Sequence, residues 1–467
     1  MTVNRTGVIQ MEWDKLLKLG RLKDPKYVVQ KHRPTYAQDI DRILFSQPFR
    51  RLANKTQVHP LYDNDHIHHR LIHSLEVASV GRSLGIEIGA WLADERNEIS
   101  REQVEVIAGL VQTACMAHDI GNPPFGHSGE EAIASWFRER FAAPSGILGD
   151  ISEDQRLEFE SFEGNAQGFR ILTRTEMYEN DGGLRLAVGS LGAFTKYPVS
   201  AATRKHVDVG GISGGKQYIG LKKYGFFEND VATFDWIADQ LGLPKEQVLN
   251  DSGAVVGHWW RRHPLTYLME AADDICYNVM DLEDAFLAGD VASDTVLSLL
   301  ENLMPKSNKT YSAQSEANVI SRYRALAIRG AISACVEAFK DNYADVMAGS
   351  FSISLVEASS KAQQFESIKD FAKDRIFKAA RKTELEVYGR NVVHRALDGL
   401  FPLLDEFASV GWDDAKLSAY HVQVVRALGF PITSITCAYD ALHALTDFVS
   451  GTTDRYAVKV ADMLGQR

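Results

Sequence analysis

Apolar positions along the chain recur mainly at three- and four-residue steps. Leu71, Leu75, Ala78, Val80, Leu84, Ile88 and Trp91 follow this spacing, which predicts an amphipathic helix from Leu71 to Ala93. Gln103 to Ala117 reads as a second, more buried helix, closed by Gly121 and the Pro123-Pro124 pair, which cannot continue it. Between about 184 and 228 the character changes. Glycine-rich turns there separate Val207, Val209, Tyr218, Ile219 and Leu221, and the pattern predicts a small β-hairpin. Helical patterning resumes near 231 and continues to the C-terminus, with strong segments over Leu265 to Leu287 and Ile376 to Phe407. The expected fold class is mainly α with at most a short sheet.

Composition refines this picture without changing it. Hydrophobic residues make up 45% and charged residues 24% of the 467, values of a soluble chain with a large core rather than a disordered one. No Pro/Ser-rich linker, low-complexity tract or fixed-period repeat divides the sequence, so one large globule is expected. The net charge of -11 argues against a surface built throughout for nucleic acid, while leaving room for local basic patches. Cys115, Cys276, Cys335 and Cys437 are scattered without a CxxC pair, so neither a disulfide framework nor a zinc knuckle is indicated, and a reducing compartment is expected. The first twenty residues have no signal-type apolar run, and no later run approaches the roughly 20 residues of a membrane span. A cytoplasmic location without a membrane partner is expected.

Histidine placement carries the chemistry. His73 lies within the first helix, and His118 sits beside Asp119 at the end of the second. Imidazole and carboxylate together suit a divalent cation, and an adjacent His-Asp pair at a helix end can aim both side chains at one ion. The segment LTYLMEAADDICYNVMDLEDAF offers a further ligand from Asp273 or Asp274. At about 100° per residue, Asp273, Tyr277, Asp281 and Asp284 share one stripe of that helix. Such a stripe on a helix apolar enough to be buried needs partners or a metal. Each feature alone has an ordinary explanation: interior histidines are commonly hydrogen-bonded core residues, and acidic stripes are commonly solvated faces, a reading that fits Asp284. His127 and Glu130, three residues apart just after the proline turn, have the spacing of a His-carboxylate couple able to move protons.

Taken together, these residues resemble the HD superfamily of metal phosphohydrolases. The words DRILFSQPFRRLANKTQV (41 to 58), RLIHSLEVASVGR (70 to 82), AHDIGNPPFGHSGEEA (117 to 132), FEGNAQGFRILT (162 to 173) and LMEAADDICYNVMDLEDA (268 to 285) narrow the resemblance to the dGTP triphosphohydrolases. The resemblance implies an HD-domain helical fold with a catalytic core over 1–290 and a helical C-terminal region over 291–467 packed on it. It implies His73, His118, Asp119 and Asp273 as ligands of Mg²⁺ or Mn²⁺, Asp273 being the first acid of the ADD word, a choice the stripe geometry also favours. A cation so held polarises a phosphoryl oxygen and activates water for attack on the α-phosphorus. His127 is implied as the proton-transfer residue, oriented by Glu130.

The same resemblance implies that Asp281 and Gln57 hold the sugar 3′-hydroxyl while the Tyr277 ring packs against C2′, so that a 2′-hydroxyl collides with it. Arg70 and Lys196-Tyr197 are expected on the triphosphate, with Lys205, Lys216, Lys222 and Lys223 ranked below them as solvated lysines. Gly210 to Lys216 reads GGISGGK but is followed by Gln217, where a phosphate loop needs Ser or Thr, so a Walker-type ATPase is rejected. Arg390, His394 and Arg395 are either nucleotide contacts or a surface salt-bridge face. Asn122 stands where broader-specificity relatives carry a second histidine, which favours dGTP over general dNTP hydrolysis. The resemblance also implies a homo-oligomer, often a hexamer, and allows single-stranded DNA as a partner. An HD phosphomonoesterase or phosphodiesterase and a non-catalytic nucleic-acid-binding protein are the competing readings.

Overall fold

The computed structural model describes residues 2–3, 9–57, 68–177, 182–207, 218–250, 252–305, 315–376 and 380–465. Helices account for 69% of the described residues, so the fold is mainly α. The helices that matter for the site are α1 (Arg70–Trp91), α2 (Arg101–Ala117), α3 (His127–Phe141), α4 (Gly164–Arg170), α5 (Pro264–Leu287), α6 (Ala380–Ser409) and α7 (Asp454–Leu464).

Their ends follow from local chemistry. The His69 ring accepts the Ile72 amide at the start of α1. Ser100 and Gln103 form a reciprocal capping box on α2. Pro264 opens α5 at a position where a missing N–H costs nothing. The hairpin is present, but it is formed by Lys245–Leu249 paired antiparallel with Val255–Trp260, within the stretch that reads as helical. Val248, Trp259 and Trp260 turn inward from it and bury, which outweighs the helical spacing of the region. The described parts of 184–228 instead hold the helices Val188–Phe194 and Ala201–His206 and a short turn at Ile219–Leu221. Val209 and the Gly210 to Lys216 word lie outside the described residues. A second antiparallel pair joins Thr2–Val3 to Ile9–Gln10.

The buried face of α1 also departs from the apolar spacing. Leu75 is 38% exposed, whereas Gly81, Gly85 and Gly89 are buried. These glycines line the contact with α2: a Cβ on Gly85 would stand 2.7 Å from the Ala108 Cα, and one on Gly89 3.0 Å from Val104 Cγ1. Small residues, not large ones, let the two backbones approach and so bring His73 and His118 together. The buried apolar side chains form two clusters, one including α1, α2 and α5, the other including α3, α6 and α7. Both draw residues from either side of residue 290. No helix among the described residues is long and apolar enough to cross a membrane.

Gly121 closes the turn after α2 directly against α4, and a Cβ there would collide with the Gly164 carbonyl and the Gly168 amide. Gly121→Ala is therefore expected to cost about 3 kcal/mol or more, as backbone on both sides must shift. Thermal melting checks this against Gly149→Ala, where a Cβ meets nothing within 4 Å. Equal melting temperatures for the two variants would contradict the packing argument.

Candidate active site

Three elements converge on one cluster. α1 brings Arg70 and, one turn on, His73; the end of α2 brings His118 and Asp119; the middle of α5 brings Asp273. One ligand atom from each of His73, His118 and Asp119 lies within 4.8 Å of the others, and the two rings sit edge to face at 5.2 Å. Asp273 Oδ1 is 3.2 Å from His73 Nε2 and 3.4 Å from His118 Nε2.

The arrangement of His118 tests whether these groups suit a cation. Its Nδ1 donates to the Cys115 carbonyl at 2.7 Å, so the neutral ring carries its lone pair on Nε2. That atom is buried without a hydrogen-bond partner and faces Asp273 and, at 3.5 Å, Asp119 Oδ1. A buried lone pair directed at two carboxylates is repulsive until a proton or a metal ion intervenes. Burial lowers the pKa of this imidazole, yet Asp119 and Asp273 outweigh it and raise it above the usual value. The donor set therefore fits a divalent cation.

Both carboxylates are ionised and held. Burial opposes ionisation of Asp119, but Arg70, His118 and His73 keep it well below the usual range. Arg70 Nη1 donates to its Oδ2 at 2.7 Å, and the Asn122 amide donates to its Oδ1. Lys196 and His118 likewise overcome the burial of Asp273, with Lys196 Nζ at 2.7 Å from Oδ2. The neighbouring acid, Asp274, is pushed by burial up to about 7. Lys196 is itself braced from behind, since Arg262 donates to its carbonyl at 2.7 Å while forming a two-pronged pair with Glu270 at 2.8 and 3.1 Å.

The cluster opens into a cavity of about 320 Å³. Arg70, His118, Asp119 and Asp273 line one part of it, and Gln57, Lys196, Tyr197 and Tyr277 also reach it. His127 and Glu130 stand on its wall at the start of α3, with His127 Nδ1 2.6 Å from Glu130 Oε2. Glu130 is fixed in turn by the Gly164 amide, 2.7 Å from Oε1. The Glu130 hydrogen bond raises the pKa of His127, whose side chain is 82% exposed and leaves Nε2 available. Of the sequence candidates, His73 and Asp281 are buried and do not border the cavity.

Several participants escape sequence reasoning. Lys223, ranked low as a solvated lysine, instead borders the cavity and pairs with Glu163 at 2.7 Å. Glu386, from α6, reaches the same cavity. Asp284 is not a solvated residue: it is 1% exposed and holds His68 Nδ1 at 2.6 Å, with the His68 pKa raised to about 10 because Asp284 and Glu76 overcome its burial. Arg390, His394 and Arg395 bond to Glu139, Ser135 and Asp462, at 3.0, 3.1 and 3.5 Å, and do not border the cavity.

Comparison with known proteins places these residues in context. A family model described as HD domain matches residues 70–170, which contain Arg70, His73, His118, Asp119, His127 and Glu130. The chain is 37% identical over 475 residues to a deoxyguanosinetriphosphate triphosphohydrolase-like protein of Pseudomonas aeruginosa, covering 98% of this chain and 99% of the relative. A protein of the same description from Synechocystis sp. is 36% identical over 458 residues, covering 97% and 99%. The deoxyguanosinetriphosphate triphosphohydrolase of Salmonella paratyphi A is 30% identical over 509 residues, covering 94% and 95%.

Proposed function

Because the chain belongs to the deoxyguanosinetriphosphate triphosphohydrolase-like family of HD-domain proteins, we propose that it hydrolyses dGTP to deoxyguanosine and inorganic triphosphate. Water attacks the α-phosphorus, the bond from that phosphorus to O5′ breaks, and O5′ leaves with a proton. The reading rests on the buried His73, His118 and Asp119 with the half-buried Asp273, at the edge of a cavity that also holds the His127–Glu130 couple. When bound by the four ligands, Mg²⁺ or Mn²⁺ supplies Lewis acidity toward a phosphoryl oxygen and the attacking water.

Charge balance supports the need for such an ion. Arg70 is paired with Asp119, Lys196 with Asp273 and Lys223 with Glu163. These cations carry no surplus for a polyanion. A divalent ion adds positive charge without displacing the pairs, and Arg70, Lys196 and Tyr197 are then placed to receive the triphosphate oxygens. His127, protonated against Glu130, delivers its proton to O5′. Gln57, on the cavity wall, holds the 3′-hydroxyl, whereas Asp281 does not border the cavity and is given no contact with that hydroxyl; in this role the protein contributes to control of the dNTP pool as a homo-oligomer.

Chromatography of products from each dNTP and from GTP, with Mg²⁺ or Mn²⁺, tests the proposal. Deoxyguanosine and triphosphate from dGTP support it. Equal turnover of all four dNTPs removes the dGTP preference, and release of orthophosphate or a nucleotide favours an HD phosphomonoesterase or phosphodiesterase. The Tyr277 ring, on the cavity wall, is assigned to exclusion of the 2′-hydroxyl. Tyr277→Ala is expected to lower the dGTP-to-GTP ratio of kcat/KM about tenfold, and an unchanged ratio would remove Tyr277 from sugar selection.

A further inference from the structure

Behind the catalytic wall lies a second polar assembly, separate from the ligands. Lys55 is only 3% exposed, and its Nζ donates to two carbonyls, Asn122 and Ser450, each at 2.7 Å. Asp454, at the start of α7 and 2% exposed, accepts the Thr56 amide at 3.1 Å and the Thr56 hydroxyl on Oδ2. Its Oδ1 accepts the Phe125 amide at 3.0 Å. The two side chains thus tie a C-terminal segment to both ends of the turn from Asn122 to Phe125.

That turn needs holding. Phe125 has φ +63 and is followed by Gly126 at +59, a backbone course that a side-chain-bearing residue adopts only under constraint. At one end, Asn122 donates to Asp119; at the other, His127 begins α3. The backbone next to Lys55 bears on the site as well, because the Lys55 carbonyl accepts the Arg70 amide at 3.2 Å and Thr56 bridges to His69. A misplacement of about 1 Å at such a turn is enough to cost on the order of a hundredfold in rate.

We propose that Lys55 and Asp454 are positioning residues that fix the Asn122 to Phe125 turn, and with it the placement of His127 relative to Asp119. The C-terminal helix is by this means part of the catalytic apparatus without touching substrate. Burial pulls the Lys55 pKa down to about 7, against the opposing influence of Asp454, so the group is retained at a cost that simple filling of space would not justify. The inference rests on the hydrolase reading above for its kinetic consequence.

The test uses the full-length protein with Lys55→Met, Asp454→Asn, the double variant and Arg51→Gln. Arg51 holds the same C-terminal segment through the Gly451 carbonyl at 2.9 Å without touching the turn. For Lys55→Met and Asp454→Asn, kcat is expected to fall at least about tenfold with KM within about threefold. The double variant should lose less than the product of the two, and Arg51→Gln should keep the wild-type kcat. Mn²⁺ affinity, read by calorimetry, is expected to weaken up to about tenfold in Lys55→Met through Asn122 and Asp119. Should Lys55→Met fail to fold, Asp454→Asn decides, as it is isosteric. Folded variants with wild-type kcat and Mn²⁺ affinity would overturn the proposal, as would a loss in Arg51→Gln equal to theirs. A wild-type protein inactive on every dNTP counts instead against the hydrolase reading, and the Mn²⁺ affinities then judge the positioning role.

Discussion

His118→Ala is expected to abolish hydrolysis, lowering kcat/KM about a thousandfold or more, and to weaken Mn²⁺ binding in parallel. The size follows from what the ring does. It presents a lone pair that its Nδ1 bond to the Cys115 carbonyl has already oriented, so little reorganisation accompanies ligation. Alanine removes that donor and leaves Asp119 and Asp273 facing each other across the gap, with Arg70, Lys196 and His73 left to balance them. Loss of several kcal/mol of transition-state stabilisation at a phosphoryl centre corresponds to this factor. Calorimetry with Mn²⁺ and product assays on the same preparation check it. Activity within tenfold of wild type, at unchanged Mn²⁺ affinity, would be incompatible with the proposed ligand set.

His127→Ala has the second-largest expected effect, a fall in kcat of about 10²- to 10⁴-fold, with Mn²⁺ affinity unchanged because the ring is not a proposed ligand. The wild-type pH profile should show the same group. The Glu130 hydrogen bond raises the pKa of His127, and the ring acts as an acid. Its contribution is therefore complete below that raised pKa and is lost, tenfold per pH unit, as pH rises through it. Glu130→Gln removes the charge that raises the pKa, so the descending limb should move to lower pH. A limb that stays in place in Glu130→Gln, or survives in His127→Ala, would assign proton transfer elsewhere.

The sequence makes α1, α2 and α5 legible because each is long and each carries its chemistry at helical spacing. His73, His118, Asp119 and Asp273 converge through contacts between these helices, and the contacts rest on residues a hydropathy reading passes over. Gly81, Gly85 and Gly89 are the example, since they carry no apolar side chain yet form the face of α1 that meets α2, while Leu75 is left partly exposed. The hairpin was legible in kind but not in place, as Trp259 and Trp260 are consistent with helix or strand until their burial partners are known. Asp284 illustrates a different limit: its partner, His68, is 216 residues away, so nothing near it in sequence distinguishes a buried acid from a solvated one. Lys55 was hidden for the same reason, and Lys223 was ranked low for it, their carbonyl and carboxylate partners being supplied by distant segments.

The most direct test of the mechanism is a turnover of dGTP in ¹⁸O-labelled water with Mn²⁺, followed by mass spectrometry of both products. Attack on the α-phosphorus should leave deoxyguanosine unlabelled and place one ¹⁸O in the inorganic triphosphate, with no label incorporated by His118→Ala because no product forms. Label in deoxyguanosine would mean attack at C5′, and dGDP with orthophosphate or dGMP with pyrophosphate would mean attack at another phosphoryl bond; each would contradict the proposed hydrolysis.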